Sequence, residues 1–240
     1  MFTPFAFIQN QSPLPLDGLV GWWDSYLSVV EEDAGLPVKW YSVNDYQILE
    51  GTANSYPYRV EASDSSYFTT ELDEYLTTTF SLPSSTSPFT IMMWAYTDQL
   101  ASAEGFFQFG DGNTNTNIQI FTSNNRWQWQ INTGNTQRGG GDSGNTISAN
   151  TWYQVTMTFD GTTVNGYIND VLEETGALGG GFTYNVPGNS NLNLFYIDRA
   201  SFPDYDGNNS RIANLAIWDN ALDLTTISSI FDFYKSRFGY

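Results

Sequence analysis

The 240-residue chain contains no cysteine and no histidine. Without cysteine it can form neither disulfides nor thiolate metal sites. Without histidine it lacks the usual general base and the commonest ligand of transition metals. Zinc hydrolases and enzymes built on Ser-His-Asp or Cys-His arrangements are therefore excluded, and only carboxylate chemistry remains available for catalysis.

Basic residues are also scarce, because 8 Lys and Arg stand against 26 Asp and Glu for a formal net charge of −18. Such a chain cannot form the basic patch that neutralises a phosphate backbone, so we predict no nucleic-acid partner. The charge also disfavours an anionic membrane surface, and no apolar run approaches the roughly 20 residues of a membrane span. The first residues lack a basic segment and carry Pro4, Pro13 and Pro15, so we expect the protein to work without Sec export.

Aromatic residues are abundant at 17% of the chain, whereas only 14% of residues are charged. This composition is typical of many short strands joined by turns. Apolar and polar residues alternate from residue 153 to 159, and Asp160-Gly161 follows as a turn. Ile118, Ile120, Trp127, Trp129 and Ile131 alternate in the same way on either side of Asn124-Asn125, which predicts a hairpin.

Two further segments complete the expected architecture. The run from Phe89 to Tyr96 is apolar on both faces, which predicts a central strand covered on both sides. After residue 223 the apolar residues fall at helical spacing, with Asp223 as the N-cap. We expect Gly139-Gly140-Gly141 to lie in a loop. The chain therefore predicts one all-β sandwich with a short C-terminal helix over residues 16–240.

Residues 1–15 differ from the rest, since Phe2, Phe5, Phe7 and Ile8 are apolar, prolines block a helix, and no charge precedes Asp17. We interpret this segment as an extended arm whose four apolar side chains bind a partner. The alternatives are a first strand of the sandwich or a segment packed on its own domain.

Three segments resemble the laminin-G-like branch of the concanavalin A-like lectin/glucanase superfamily, as found in phage virion proteins. They are SPFTIMMWAY (87–96), NTWYQVTMTFDGTTVNGYINDVL (150–172) and RIANLAIWDNALDLTTISSIF (211–231). The segment 150–172 is similar to that family's W-(H/Y)-x-V hairpin, with Asn169-Asp170 where Asn-Gly is usual. The resemblance implies an antiparallel jelly roll of two curved sheets, and it implies little about function, because this fold serves many functions.

Catalysis has weak support in the sequence. Glycosidases of this fold usually carry two carboxylates in a Glu-x-Asp-x-(x)-Glu pattern, which places an acid and a nucleophile on either side of the scissile bond. The nearest string here is Glu71-Leu72-Asp73-Glu74-Tyr75, with Tyr75 where the second Glu is needed. We therefore expect the protein not to be an enzyme.

Calcium is the one candidate cofactor, and we predict no other. Asp204, Asp206 and Asn208 supply oxygen ligands at alternate positions of one loop, and calcium is bound by six to eight such oxygens. The alternative is an Asx-type turn that needs no metal.

Carbohydrate binding requires aromatic rings beside amide or carboxylate groups. Trp127 and Trp129 share a strand face about 7 Å apart, a spacing that suits stacking on successive sugar rings, and Tyr205 is a third candidate. However, Gln128 and Gln130 lie on the opposite face. The alternative is that both tryptophans pack inside the sandwich.

The apolar arm, the adhesive fold and the absence of Cys, His and a signal segment together predict a non-catalytic virion protein. We expect a capsid decoration or fibre-associated subunit at the virion surface. Its partners would be other virion or capsid subunits, further copies of itself, or host surface glycans. The alternative is a carbohydrate-binding module of a secreted or cell-surface protein, located outside the cell.

Overall fold

The computed structural model describes residues 14–28, 30–31, 39–43, 48–51, 57–61, 66–70, 74–80, 87–111, 116–133, 136–178, 190–199 and 204–240. Two antiparallel sheets stack face to face, and one helix packs on the outside. The strands in these ranges are β1 (Leu19–Asp24), β2 (Val30–Glu31), β3 (Lys39–Tyr41), β4 (Ile48–Gly51), β5 (Tyr58–Val60), β6 (Tyr67–Thr69), β7 (Leu76–Phe80), β8 (Phe89–Thr97), β9 (Glu104–Asp111), β10 (Thr116–Ser123), β11 (Arg126–Thr133), β12 (Thr136–Asp142), β13 (Thr151–Phe159), β14 (Thr163–Ile168), β15 (Val171–Ala177), β16 (Ser190–Leu194), β17 (Tyr196–Ile197), β18 (Tyr205–Asp206) and β19 (Arg211–Trp218). Helix α1 (Leu224–Tyr234) and a 3₁₀ helix (Lys235–Phe238) close the chain.

Every strand pair in the two main sheets is antiparallel. Sheet A has eight strands in the order β15-β14-β13-β8-β19-β6-β5, and β1 pairs with β19 beside this path. Sheet B has nine strands in the order β12-β11-β10-β9-β16-β7-β4-β3-β2. The short β17–β18 ribbon lies against β9. The predicted antiparallel sandwich with a short C-terminal helix is confirmed.

The main core lies between the two sheets and is dominated by large side chains. All nine residues of β8 are buried, and they alternate between two environments. Ile91 and Met93 point into the core between the sheets, whereas Met92 and Trp94 point to the other side, into a second apolar cluster. The prediction of a central strand covered on both faces is therefore confirmed.

Helix α1 covers the outer face of sheet A. Asp223 caps it as predicted, because its Oδ1 accepts a hydrogen bond of 2.8 Å from the Thr226 backbone N–H. The helix buries Ile227 and Ile230 in the second cluster, and Phe238 of the 3₁₀ helix stacks on Trp94 with ring centroids 4.2 Å apart. No helix in the described ranges is long and apolar enough to cross a bilayer.

The hairpin turns lie where the sequence predicted them. Asn124 and Asn125 have positive φ angles of 52° and 61°, which two-residue turns between twisted strands favour. Asp160 stabilises the next turn, since its Oδ1 accepts hydrogen bonds from the backbone N–H groups of Thr162 (2.8 Å) and Thr163 (2.7 Å).

The prediction that Gly139-Gly140-Gly141 forms a loop is wrong, because all three glycines belong to β12. At Gly140 φ is +81° and a Cβ would lie 1.9 Å from the Trp129 carbonyl oxygen, so only glycine fits. Gly176 of β15 faces it, and a Cβ there would lie 2.9 Å from the Gly140 nitrogen. Small residues thus let the edges of the two sheets approach each other.

The predicted arm lies almost entirely outside the described residues, including Phe2, Phe5, Phe7 and Ile8. Its last two residues are described, and they pack on the sandwich. Leu14 is buried in the second apolar cluster, and the Pro15 carbonyl accepts a hydrogen bond of 2.9 Å from Trp218 Nε1. Residues 14 and 15 therefore belong with the sandwich rather than with an arm.

Candidate functional site

A polar groove of about 230 Å³ lies on the outer face of sheet B. Helix α1 packs on the outer face of sheet A, so this groove and the helix lie on opposite sides of the sandwich. The groove is lined by Gln119, Phe121, Ser123, Asn124, Gln128, Gln130, Asp142, Arg199 and Tyr205.

The floor of the groove consists of side chains that the strand register places beside one another. In β10, β11 and β12, Gln119 lies opposite Gln130, and Gln128 lies opposite both Phe121 and Asp142. Directly opposed residues on one face have Cβ atoms roughly 4.5–5.5 Å apart. Three amide side chains and one carboxylate therefore share a single patch of sheet surface.

The β17–β18 ribbon forms one wall of the groove. It packs closely on β9 at Gly105, where a Cβ would lie 2.5 Å from the Tyr205 carbonyl oxygen. Gln108 fixes the neighbouring segment, because its Nε2 donates to the Asp198 carbonyl (2.8 Å) and its Oε1 accepts from the Asp198 N–H (3.1 Å). Gln108 is fully buried by these contacts, so it positions the wall and does not face the groove.

Tyr205 is the one predicted carbohydrate residue that the structure brings into the groove. Its ring packs against Phe121, with centroids 5.2 Å apart. The Arg199 guanidinium lies 4.3 Å from the centroid of the Tyr205 ring, a cation–π contact. Phe121 and Arg199 thus both contact the Tyr205 ring, and the exposed surface of the groove is polar.

The structure places Trp127 and Trp129 inside the sandwich, with 0% of each residue exposed. The Trp127 ring packs on Phe106 at 4.7 Å, and the Trp129 ring fills the space above Gly166. A ring buried in this way cannot stack on a sugar, so these two residues are corrected to core residues, in agreement with the packing alternative.

The residues that sequence reasoning missed are the glutamines of the same strands. Gln128 and Gln130 alternate with Trp127 and Trp129, so the inward direction of the tryptophans sends the amides outward. That parity was visible in the sequence. The nearness of Tyr205 to Phe121 was not, because a distant segment supplies it.

The predicted calcium loop is arranged as a hydrogen-bonded turn. Asp204 accepts hydrogen bonds from the Tyr196 hydroxyl (2.7 Å) and the Arg199 N–H (2.8 Å). Burial and the hydrogen bond to Asp204 raise the pKa of Tyr196 well above its usual value of 10. Asp206 pairs with Tyr196 across the ribbon, and Asn208 lies in the following turn. Within the described ranges no group of three or more acidic side chains is placed to hold a metal ion. Calcium binding by Asp204, Asp206 and Asn208 stays a prediction.

A buried carboxylate with a raised pKa lies outside the groove. Glu104 is 1% exposed, and it accepts hydrogen bonds from the hydroxyls of Thr97 and Ser210. Burial raises the pKa of Glu104 from 4.5 to about 7. Its position in the interior gives no access to a substrate. Of the candidate acidic string, Glu71 and Asp73 lie outside the described residues.

A second groove of about 350 Å³ lies farther along the same face of sheet B. The β17–β18 ribbon and the buried Gln108 lie between the two grooves. The second groove is lined by Ile48, Glu50, Gly51, Thr77, Thr78, Thr79 and Asn191, so three of its seven lining residues are threonines. It lacks the combination of amides, aromatic ring and both charges that the first groove has.

Comparisons with known proteins agree on the fold. A family model described as concanavalin A-like lectin/glucanases superfamily, Laminin_G_3, matches residues 68–228, more than half of the chain. A comparison with curated proteins found no match.

Several solved structures are similar to the chain. The binding domain of botulinum neurotoxin serotype G is 15% identical, with a TM-score of 0.63 over 85% of this chain and 52% of that one. The ligand-binding domain of serotype D, in complex with N-acetylneuraminic acid, is 13% identical, with a TM-score of 0.66 over 90% and 51%. Trypanosoma rangeli sialidase in complex with sialic acid is 13% identical, with a TM-score of 0.60 over 95% and 35%. The chain thus spans about a third to a half of these proteins, and identities this low show the fold alone.

Proposed function

Because the chain belongs to the concanavalin A-like lectin/glucanases superfamily, we propose that it binds carbohydrate, without catalysis, through the polar groove on sheet B. The observation that carries this proposal is the convergence of Gln119, Gln128 and Gln130 with Asp142 in one groove. Gln130 and Asp142 are its more exposed members, whereas Gln119 and Gln128 form its floor with 4% and 5% of each residue exposed. Amides and carboxylates are the groups that fix a polyol in a protein site. The complexes of the serotype D domain and the sialidase with sialic acids support carbohydrate as the ligand class.

The composition of the groove supports a binding role over an enzymatic one. Glycosidases typically need two carboxylates that flank the scissile bond. Asp142 is the one carboxylate among the residues that line the groove, and the chain has no histidine to replace a missing acid or base.

The proposal is tested by measuring glycan binding with groove variants. We expect Gln128→Ala and Gln130→Ala each to weaken binding of a glycan-array hit at least several-fold in calorimetry, because each removes hydrogen bonds to sugar hydroxyls. Gln99→Ala is the matched control, since Gln99 follows β8 and is not a lining residue. Thermal melting of each variant separates loss of binding from loss of folding. Equal affinity of all three variants and the wild type would exclude the groove as the site.

We further propose that this module acts at the surface of a virion, attached through its N-terminal segment. The support is the sequence of residues 1–13, where Phe2, Phe5, Phe7 and Ile8 are apolar and no residue is charged. Burial of each such side chain against a partner contributes roughly 1.5–3 kcal/mol. Removing residues 1–13 should leave the melting temperature nearly unchanged and abolish incorporation into the parent particle. Normal incorporation would favour the secreted or cell-surface module instead.

A further inference from the structure

We propose that the groove on sheet B selects uncharged saccharides and discriminates against sialylated and other anionic ones. This inference rests on the proposed carbohydrate-binding function and names its ligand class. It differs from the sialic-acid ligands of the similar structures, and it follows from the groups that this chain itself presents.

The amides of the groove are suited to neutral hydroxyl groups. A glutamine amide offers one acceptor oxygen and two donor hydrogens, and a sugar hydroxyl both donates and accepts. Within the described part of the chain, the side chains of Gln119, Gln128 and Gln130 make no hydrogen bond to another residue. Their donors and acceptors are therefore not used inside the protein. Gln130 is half-buried, and Gln119 and Gln128 lie at the floor of the groove with 4% and 5% of each residue exposed.

The charges of the groove oppose an anionic ligand. Asp142 is exposed at the end of β12, and burial together with Asp142 raises the pKa of the nearby Glu174 on β15. The segment of the β17–β18 ribbon is also acidic, because Asp198, Asp204 and Asp206 all act electrostatically on Tyr196. Charges within roughly 8 Å of a ligand are only partly screened at physiological salt, so a sugar carboxylate that binds beside Asp142 is repelled by it.

Arg199 is the one cation among the lining residues. Its guanidinium lies over the Tyr205 ring, and its backbone N–H donates to Asp204. The side chain therefore has a structural role in the wall, and the same segment carries Asp198, Asp204 and Asp206, which all act electrostatically on Tyr196. A net charge of −18 for the whole chain adds long-range repulsion of anions.

Recognition in this groove then depends on hydrogen bonds more than on stacking. Phe121 is almost fully buried, and the Tyr205 ring contacts Phe121 and Arg199. The rings shape the groove, and Gln130 and Asp142 are more exposed in it than Gln119 and Gln128. We therefore expect neutral saccharides to bind with affinities that depend little on salt.

The test compares neutral oligosaccharides with matched anionic ones in calorimetry at 0.05 and 0.3 M NaCl. The probes are lactose with 3′-sialyllactose, and maltotetraose, cellotetraose and laminaritetraose with tetragalacturonic acid. We expect at least one neutral probe to bind at least tenfold more tightly than every anionic probe at low salt. Tighter or equal binding of an anionic probe would overturn the selectivity and leave the carbohydrate-binding function standing. Absence of binding to every probe would overturn both.

A pair of charge variants separates the groove from the overall charge. Asp142→Asn should strengthen binding of 3′-sialyllactose several-fold relative to the best neutral probe. Asp232→Asn removes the same charge from the exposed side of α1, away from sheet B, and should leave that ratio unchanged. An equal change in both variants would show that total charge discriminates, and would overturn the assignment to the groove.

Discussion

Among the described residues, Glu104 is the carboxyl group with the largest pKa shift, and it joins both sheets. It begins β9 in sheet B, and its carboxylate accepts hydrogen bonds from Thr97 at the end of β8 and from Ser210 before β19. Its Oε1 is buried without a hydrogen-bond partner among the described residues. Burial and the negative charge of Asp98 raise the pKa of Glu104, whereas the hydrogen bonds from the two hydroxyls lower it. The resulting pKa is about 7.

The raised pKa of Glu104 predicts how stability changes with pH. The folded protein keeps this proton up to about pH 7, whereas the unfolded chain releases it near 4.5. Its stabilising contribution is therefore complete below pH 4.5 and is lost as the pH rises to 7. At about 1.4 kcal/mol per pKa unit, the loss is on the order of 3 kcal/mol. Glu104→Gln cannot ionise, so urea denaturation from pH 4.5 to 8 should show a flatter profile than in the wild type.

The control for this prediction is Glu61→Gln, since Glu61 is exposed in its ion pair with Arg59. That variant should follow the wild-type pH profile. A Glu104→Gln profile that stays parallel to the wild type would mean that Glu104 ionises normally inside the fold.

A second prediction at the residue scale concerns the pair of Arg237 and Asp24. The guanidinium donates to both carboxylate oxygens, at 2.9 and 3.3 Å, and the Asp24 side chain is fully buried. Arg237→Ala leaves a buried carboxylate without its cation, which typically costs 3–5 kcal/mol. We expect about 3 kcal/mol in chemical denaturation, because Asp24 keeps its hydrogen bond from the Tyr26 N–H.

Lys235→Ala provides the comparison for Arg237→Ala on the same 3₁₀ helix. Lys235 pairs with Asp232, and both side chains are exposed. Exposed pairs contribute about 0–1 kcal/mol, so this variant should be nearly neutral. Similar small losses in the two variants would mean that Asp24 is stabilised by its backbone partners alone.

The sequence predicts which way a strand side chain points better than it predicts which residues lie together in a binding site. Alternation correctly separates Val155 and Met157, which face the core between the sheets, from Gln154 and Thr156 on the other side. The same rule sends Gln128 outward. No local pattern, however, states that Tyr205 will lie beside Phe121, because that contact depends on how the β17–β18 ribbon folds over β9.

Among the elements, β12 shows how tertiary packing overrides local preference. Three consecutive glycines normally indicate a loop, since glycine loses the most conformational freedom in a strand. Here the edges of the two sheets meet, and any side chain at Gly140 or Gly176 would collide with backbone. The sequence shows three adjacent glycines, which is unusual for a strand. The reason for them is the close approach of backbone from the neighbouring strands.

Gly166 on β14 provides a test of this close packing. A Cβ there would lie 2.4 Å from two atoms of the Trp129 ring, which is itself fully buried and unable to move aside. Overpacking of this kind typically costs about 1–3 kcal/mol. Gly166→Ala should therefore lower the melting temperature by several degrees. Gly144→Ala is the control, because its Cβ would make an ordinary 3.4 Å contact with Glu173; a matching loss in both variants would exclude the clash as the cause.

At the scale of the whole molecule, the first strand of the chain, β1, pairs with the last strand, β19, in sheet A. Trp23 therefore lies opposite Leu215 and Trp22 lies opposite Ala216. Both tryptophans are buried, each in a different apolar cluster. The sequence indicates a strand near residues 19–23. Its pairing with β19 joins residues almost 200 positions apart, so it cannot be predicted from a local sequence pattern.

This closure predicts that the segment matched by the family model does not fold alone. A fragment of residues 68–228 lacks β1 to β5, half of α1 and the 3₁₀ helix. In this fragment Leu215 would lose its cross-strand neighbour Trp23, and Trp94 would lose the stacked ring of Phe238.

Loss of a single large core side chain costs about 3–5 kcal/mol, and a whole domain is stable by only about 5–15 kcal/mol. Removal of Trp22, Trp23 and Trp40 together with their strands therefore costs more free energy than the stability of the whole domain. We expect fragment 68–228 to give no cooperative thermal transition in near-ultraviolet circular dichroism. Residues 14–240 should give one transition that coincides in the near and far ultraviolet, as a two-state domain requires. A fragment that melts cooperatively within about 5 °C of the longer chain, a shift that corresponds to roughly 1–2 kcal/mol, would show that the strands before residue 68 are an addition to an independent sandwich.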